Sequence, residues 1–222
     1  MPNYAIHEAV RVEIGDVAID GDLHVPDGAS GLVIFAHGSG SSRFCGRNRA
    51  VAGVLEESRF GTFLLDLLTR DEETVDDRTR EYRFDIDLLG RRVVGATDWA
   101  HLRPDLGRLP VAFFGASTGA AAALIAAAAR PDIVHAVISR GGRPDLAEEA
   151  LPNVQAPTLL IVGGDDEPVI EMNREAMRRM TAPMELKIIP GATHLFEEPG
   201  ALEEVARLAT VWCQRYVEQR LG

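Results

Sequence analysis

A serine, an acidic loop and a histidine occur along this chain in an order that could support nucleophilic chemistry. Ser117 is the centre of the pentapeptide Gly115-Ala116-Ser117-Thr118-Gly119, between an apolar run and an alanine-rich stretch. At a strand-to-helix junction, Gly-x-Ser-x-Gly is typical of a nucleophile elbow, a strained turn that exposes the serine hydroxyl. The flanking glycines remove Cβ atoms that would collide in such a turn. Ser117 is therefore the candidate nucleophile.

A serine hydroxyl needs a base to activate it, and the base needs a carboxylate to orient it. After such an elbow, the acid comes first along the chain and the histidine second. The buried run Leu159–Val162 leads into an acidic loop, in which we prefer Asp166 as the acid. Asp165 stays open as the alternative, although it could cap the next helix, and Glu167 is less favoured. His194, in a turn after the last predicted strand, is the candidate base.

Backbone amides near the elbow could stabilise the oxyanion that forms during such a reaction. The apolar run Leu32–Ala36 ends in a small, glycine-containing turn that begins with His37. We predict that one oxyanion donor is the N–H of Ser39 in this turn and that the other is the N–H of Thr118. Gly40 is the alternative donor and a candidate substrate contact. We expect His37 to anchor the turn through hydrogen bonds.

Arginines and one phenylalanine are candidate substrate contacts. Arg43, Arg140 and Arg143 follow predicted strand ends, where they could bind a substrate carboxylate. In a chain of net charge −11, however, we favour pairing of these arginines with acidic residues. Phe196, two residues after the candidate base, could line an acyl pocket or pack in the core.

Strand and helix signals alternate along most of the chain, which is typical of an α/β fold. Two alternating runs around Gly15-Asp16 predict an antiparallel hairpin, and six apolar runs predict buried strands. The predicted strands are Val10–Ile14, Val17–Val25, Leu32–Ala36, Thr62–Leu65, Val111–Phe114, Val134–Ile138, Thr158–Val162 and Leu186–Ile189. The predicted helices are Arg47–Ser58, Ile86–Leu102, Thr118–Arg130, Glu171–Met180 and Ala201–Arg220.

This pattern predicts eight strands with right-handed crossovers in a single domain over residues 1–222, because no repeat or low-complexity linker interrupts it. The highly charged stretch Thr69–Arg83 lacks apolar periodicity, and we interpret it as a solvated excursion. Only about twenty residues separate Ile138 from Leu159, too few for a lid domain. We therefore expect an open, shallow pocket suited to small acyl groups.

Composition narrows the classes of partner. The chain is 46% apolar and 26% charged, and its net charge of −11 disfavours nucleic acid and anionic membranes. We see no signal peptide and no apolar run long enough to span a bilayer.

The two cysteines have no CxxC-type neighbours, and we expect free thiols in a reducing cytoplasm. Metal-ligand spacing, a P-loop and Gly-x-Gly-x-x-Gly are all missing from the sequence, so we expect no metal or cofactor. The sequence leaves the oligomeric state open.

Four motifs in one order resemble the α/β-hydrolase superfamily: His37-Gly38, the Ser117 pentapeptide, the Asp166 loop and Gly-Ala-Thr-His194. The chain's small size and its turn His-Gly-Ser-Gly-Ser-Ser-Arg resemble the dienelactone hydrolase-like branch. The resemblance implies an α/β-hydrolase fold with an eight-stranded, mostly parallel sheet, helices on both faces, a Ser–Asp–His triad and no cofactor. Dienelactone hydrolases proper carry cysteine where this chain has Ser117.

The serine favours a hydrolase of small carboxylic esters that works through an acyl-enzyme. Lactone, thioester and amide hydrolysis by the same triad are the alternatives. A binding protein on a hydrolase scaffold is a further alternative from another class.

Overall fold

A long antiparallel hairpin forms one edge of the sheet in the computed structural model, which describes residues 2–218. Strands β1 (Tyr4–Ile14) and β2 (Val17–Pro26) pair antiparallel around the turn at Gly15. Their alternating pattern buries Val12 and Ile19 against the helices. The hairpin prediction is confirmed, and both strands extend further than the apolar alternation indicated.

Six shorter strands continue the sheet: β3 (Leu32–Ala36), β4 (Gly61–Leu65), β5 (Val111–Ala116), β6 (Val134–Arg140), β7 (Thr158–Gly163) and β8 (Met184–Ile189). The eight strands lie in the order β1-β2-β4-β3-β5-β6-β7-β8. Strand β2 pairs antiparallel with β4, and the remaining neighbours are parallel. The eight-stranded, mostly parallel sheet predicted from the sequence is therefore confirmed.

The strand order reverses at β3, whose sequence successor β4 lies on one side and whose later neighbour β5 lies on the other. The loops that leave β3 and β5 therefore diverge, which opens a crevice at the carboxyl edge of the sheet. Open α/β sheets bind their ligands at such a switch point. The loop after β3 contains His37, and the turn after β5 contains Ser117.

Helices cover both faces of the sheet. They are α1 (Gly46–Glu57), α2 (Arg70–Thr79), α3 (Ile86–Leu102), α4 (Thr118–Ala129), α5 (Glu167–Met177) and α6 (Ala201–Tyr216). One apolar cluster joins the sheet to α3, α4 and the hairpin, and a second joins it to α1 and α6. A 3₁₀ segment, Pro144–Asn153, follows β6 and is kinked at Glu148. The predicted end of the last helix at Arg220 lies outside the described residues.

The charged stretch 69–83, which we interpreted as a solvated excursion, contains helix α2, and most of its residues are exposed or half-buried. Thr69 and Glu72 form a capping box, in which the Glu72 N–H donates to Thr69 Oγ1 over 3.2 Å and the Thr69 N–H donates to Glu72 Oε2 over 2.7 Å. Buried Asp76, inside the helix, accepts hydrogen bonds from residues that follow the helix. The donors are the backbone N–H groups of Tyr82 and Arg83 and the Nε of Arg83. These polar bonds, rather than apolar periodicity, order the segment.

Candidate active site

Ser117 occupies a strained turn between β5 and α4. Its φ of 49° and ψ of −121° lie outside the regions that non-glycine residues prefer. Neither flanking glycine leaves room for a side chain. A Cβ at Gly115 would lie 2.4 Å from Ala120 Cα, and one at Gly119 would lie 2.2 Å from the Ala36 oxygen. The two glycines therefore let α4 and the end of β3 approach closely enough to form the elbow.

The segment after β6 holds the elbow from the other side. The N–H of Ser117 donates to the Arg140 oxygen over 3.2 Å, and the Ser117 oxygen accepts from the N–H of Arg143 over 3.0 Å. These two bonds satisfy backbone groups that the strained turn would otherwise leave without partners. They also bring the end of β6 next to Ser117, where Ala116 pairs with Arg140 in the sheet.

Asp166 and His194 meet across the loops that follow the neighbouring strands β7 and β8. His194 Nδ1 lies 2.6 Å from Asp166 Oδ2. Because an ionised carboxylate can only accept a hydrogen bond, Nδ1 is the donor, and in a neutral ring Nε2 is the nitrogen that can take up a proton. The N–H of Asp165 donates to the Ala192 oxygen over 3.0 Å, which ties the two loops together. Asp165 itself is exposed.

Ser117 and His194 line the same cavity, whose volume is about 240 Å³. A Cβ at Gly141 would lie 3.5 Å from His194 Cε1, so the imidazole packs against the segment that also binds the elbow backbone. The side chain of His194 is 39% exposed, whereas that of Asp166 is 14% exposed. The structure thus brings together the serine, the histidine and the preferred acid from three distant parts of the chain.

The predicted oxyanion donors flank this serine. Ser39 lines the cavity, and a Cβ at Gly38 would lie 3.1 Å from Ser117 Cβ. The backbone of the turn after β3 therefore passes close beside Ser117. Thr118 is the first residue of α4, and its N–H is one of the four that an α-helix leaves without an intrahelical acceptor.

His37 fixes the turn that carries Ser39. Its Nε2 accepts from the Leu67 N–H over 3.0 Å, and its Nδ1 donates to the Gly38 oxygen over 2.9 Å. Burial lowers the pKa of His37, so the ring is neutral. The prediction that His37 anchors the turn is confirmed.

Two of the expected substrate contacts point elsewhere. Arg43 is paired with Asp66, through both its backbone N–H and its guanidinium, and its Nε lies 3.4 Å from Asp22 Oδ1. Acidic pairing, which we favoured for Arg43, is confirmed, and the residue does not line the cavity of Ser117. Phe196 is 1% exposed and packs in the core cluster with α6. Of the two roles left open for Phe196, core packing is therefore the one that the structure supports.

Gly40 and Arg143 also have defined neighbours. Gly40 has a φ of +68° and lies beside Arg83, whose Nη1 would be 3.2 Å from a Cβ there. It lines a second cavity of about 390 Å³ that borders the first. Arg143 pairs with Asp145 over 2.8 Å, as expected.

Arg140 does not pair with a carboxylate in the described part of the chain, which corrects our expectation for it. The residue is 7% exposed and lines the cavity of Ser117. Its Nη2 donates to Asn48 Oδ1 over 3.3 Å, whereas Nε and Nη1 are buried without a hydrogen-bond partner among residues 2–218. Burial lowers the pKa of Arg140 to about 10. Its position as the last residue of β6, beside the elbow, was the signal in the sequence that could have identified it.

Residues 2–218 contain no cluster of three or more histidine, cysteine or acidic side chains arranged to hold a metal ion. This part of the chain also contains no helix of the length and hydrophobicity needed to cross a bilayer.

Several known proteins resemble this chain in sequence. Two proteins from strains of Mycobacterium tuberculosis, each named "Putative phosphoribosyl transferase", are 54% identical over 205 residues. The match covers 92% of this chain and 45% of each relative. The chain therefore spans about half the length of the curated relatives it matches.

Solved structures share the architecture. A dienelactone hydrolase from Anabaena variabilis is 58% identical, with a TM-score of 0.94 over 96% of this chain and 98% of that one. Est1E from Butyrivibrio proteoclasticus is 18% identical, with a TM-score of 0.78 over 93% of this chain and 98% of that one. At this low identity, Est1E shows the shared fold alone.

The model of the dienelactone hydrolase family matches residues 22–218. These residues include the turn after β3, the Ser117 elbow and the loops of Asp166 and His194. They also include all of strands β3 to β8 and the second half of β2. The chain therefore belongs to the dienelactone hydrolase family and has its α/β-hydrolase fold.

Proposed function

We propose that this protein is a serine hydrolase that cleaves small carboxylic esters through an acyl-enzyme. The observation that carries the proposal is the 2.6 Å bond between His194 and Asp166 at a cavity that Ser117 also lines. Membership of a hydrolase family supports the reaction type. The serine at the elbow, in place of cysteine, favours esters over lactones.

In the first half-reaction, Ser117 Oγ attacks the ester carbonyl carbon while its proton passes to His194 Nε2. The carbonyl oxygen becomes an oxyanion, which the N–H groups of Ser39 and Thr118 stabilise. Asp166 stabilises the imidazolium and holds the ring in its tautomer. The tetrahedral intermediate then expels the alcohol, which takes its proton from His194, and the acyl group stays on Ser117.

In the second half-reaction, a water molecule attacks the acyl carbonyl carbon and gives a proton to His194. The second tetrahedral intermediate expels Ser117 Oγ, which regains its proton from the imidazolium. The products are the carboxylic acid and free enzyme. The short connection between β6 and β7, which leaves no room for a lid domain, supports a preference for small acyl groups at this open site.

The activity in the name of the Mycobacterium tuberculosis relatives, phosphoribosyl transfer, is not part of this proposal. Those proteins are about twice as long as the region they share with this chain. The residues that converge in this chain are a serine, a histidine and an aspartate, which suit acyl transfer. We therefore propose no phosphoribosyl transfer for this chain.

The experiment is a turnover assay with p-nitrophenyl esters of increasing acyl length, using wild type and two serine variants. We expect hydrolysis of the acetate and butyrate by wild type and by Ser30→Ala, whose hydroxyl hydrogen-bonds to Glu218, away from the cavity. Ser117→Ala should lose this turnover. Folded wild type without turnover on esters, lactones or thioesters would contradict the proposal and favour a binding protein.

A further inference from the structure

Cys45 is a nucleophilic group in the candidate active site that the proposed mechanism does not use. It lies at the N-cap of α1 and is partly exposed. Its side chain lines both the cavity of Ser117 and the adjoining cavity of about 390 Å³. The chain's other cysteine, Cys213, is fully buried in the α6 cluster and provides an internal control.

The surroundings of Cys45 favour its thiolate. Burial alone would raise the pKa of this thiol, but the nearby donor groups of Asn48 N–H, the Ser41 hydroxyl and Arg47 N–H, together with the charge of Arg140, lower it. Two of these donors belong to the first turn of α1, a helix of 12 residues, where free N–H groups and the helix dipole stabilise negative charge. In contrast, burial raises the pKa of Cys213 to about 12.

The burial and the hydrogen bonds of Arg140 give a geometric indication that this side of the cavity receives an anion. It is 7% exposed, and two of its guanidinium nitrogens are without a partner in the described chain. A buried cation without a carboxylate is costly unless an anion from outside completes its environment. Arg47 lines the same wall. Because Arg47 pairs with Glu197 over 3.1 Å, Arg140 is the cation on this wall whose charge is not balanced by a carboxylate among residues 2–218.

We propose that Cys45 is a thiol-modification site for small disulfides that carry carboxylates, and that the mixed disulfide blocks the cavity of Ser117. In this step, the Cys45 thiolate attacks one sulfur of the disulfide. A new sulfur–sulfur bond forms to Cys45, the original one breaks, and the second sulfur leaves as a thiolate. A carboxylate of the retained half would then face Arg140 or Arg47. The block on turnover rests on the proposed function, whereas the formation of the adduct does not.

Oxidised glutathione is the probe for the first experiment, read by peptide mass spectrometry and by ester turnover in parallel. We expect one glutathionyl group on Cys45, none on Cys213, and a loss of turnover in proportion to the adduct. Dithiothreitol should restore turnover. In the Cys45→Ser variant, serine is also a favourable N-cap residue. This variant should hydrolyse ester at the same rate with and without oxidised glutathione.

Charge is tested with cystamine, a cationic disulfide, and with two variants of Arg140. We expect the Cys45 adduct to form about tenfold more slowly with cystamine than with oxidised glutathione, and about tenfold more slowly in Arg140→Gln than in wild type. Arg140→Lys, which keeps the charge, should react within about threefold of wild type. Circular dichroism shows which variants are folded. If a variant does not fold, the rates of adduct formation on wild type with oxidised glutathione and with cystamine still test the role of charge.

The outcomes separate the two proposals. No adduct on Cys45, equal reaction of both cysteines, equal rates with the two disulfides, or an adduct that leaves turnover unchanged would each overturn the inference about Cys45. A Cys45 adduct in a protein that hydrolyses no ester before treatment would contradict the proposed function instead, while the modification site would stand.

Discussion

Two histidines follow strands at the same edge of the sheet, and their surroundings differ sharply. His37 comes directly after β3 and is 6% exposed, with both ring nitrogens in hydrogen bonds to backbone groups. His194 follows β8, has a side chain that is 39% exposed, and places Nδ1 on the carboxylate of Asp166. His194 also shares a cavity with Ser117.

The comparison shows that a position after a strand does not decide what a histidine does. Backbone partners on both nitrogens, together with burial, keep His37 in one neutral tautomer, so it can support a turn but cannot shuttle protons. A carboxylate on one nitrogen and a cavity beside the ring give His194 an orientation and a counter-charge for the imidazolium.

The largest effect is expected for His194→Ala, which removes the proposed base. Ester kcat should fall by about 10⁶-fold, the size of loss seen when a base of this type is deleted. Because the side chain is 39% exposed, the midpoint of urea denaturation should change little. Turnover and urea denaturation measured on one preparation check both parts. A loss of less than tenfold would mean that His194 is no more catalytic than His37.

A somewhat smaller effect is expected for Asp166→Asn, compared with Asp165→Asn. The amide at 166 would favour the wrong tautomer of His194, and kcat should fall by about 10⁴-fold. Asp165 is exposed and contributes its backbone N–H to the loop, so Asp165→Asn should keep kcat within about threefold of wild type. The reverse ranking in a p-nitrophenyl acetate assay would transfer the acid's role to Asp165.

His37→Phe should show the opposite balance between stability and activity. The change leaves the Leu67 N–H and the Gly38 oxygen buried without their partner, and the free energy of unfolding should fall by about 2–4 kcal/mol. Turnover should fall only by about tenfold, through loosening of the Ser39 turn. Guanidinium denaturation and kcat, measured together, check this split. A folded variant of undiminished stability would show that His37 does not anchor the turn.

The smallest effect concerns pH. The pKa of His37 is lowered by burial from its ordinary value of 6.5, so below about pH 6.5 the unfolded chain takes up a proton that the folded chain does not. The stability due to this group is present above pH 6.5 and declines as pH falls, by at most about 1.4 kcal/mol per pH unit. Urea denaturation of wild type between pH 7 and 5 should therefore show a steeper decline than His37→Phe. Parallel profiles would contradict the assignment.

Much of this arrangement can be predicted from the sequence because its signals are local. Glycines around Ser117, apolar runs that mark strands, and the order of Asp166 and His194 each depend on short segments. Even the preference for Asp166 over Asp165 agrees with the hydrogen bond to His194. The placement in a single domain and in the cytoplasm stays a prediction.

The remaining features depend on contacts between distant residues. Helix α2 forms without apolar periodicity because polar bonds around Asp76 order it. Phe196 is buried in the core although it lies two residues from His194. The charge of Arg43 is balanced by Asp66, whereas that of Arg140 has no carboxylate within the described chain. These outcomes are set by which elements pack together, and no short segment contains that information.

Labelling with a fluorophosphonate, followed by peptide mass spectrometry, tests most directly whether His194 and Asp166 activate the Ser117 hydroxyl. Such a probe forms a stable bond to an activated serine oxygen with loss of fluoride. We predict one phosphonyl group per chain on Ser117 in wild type, and labelling at least about a hundredfold slower in His194→Ala. Folded wild type that stays unlabelled, or that is labelled at another serine, would contradict the account.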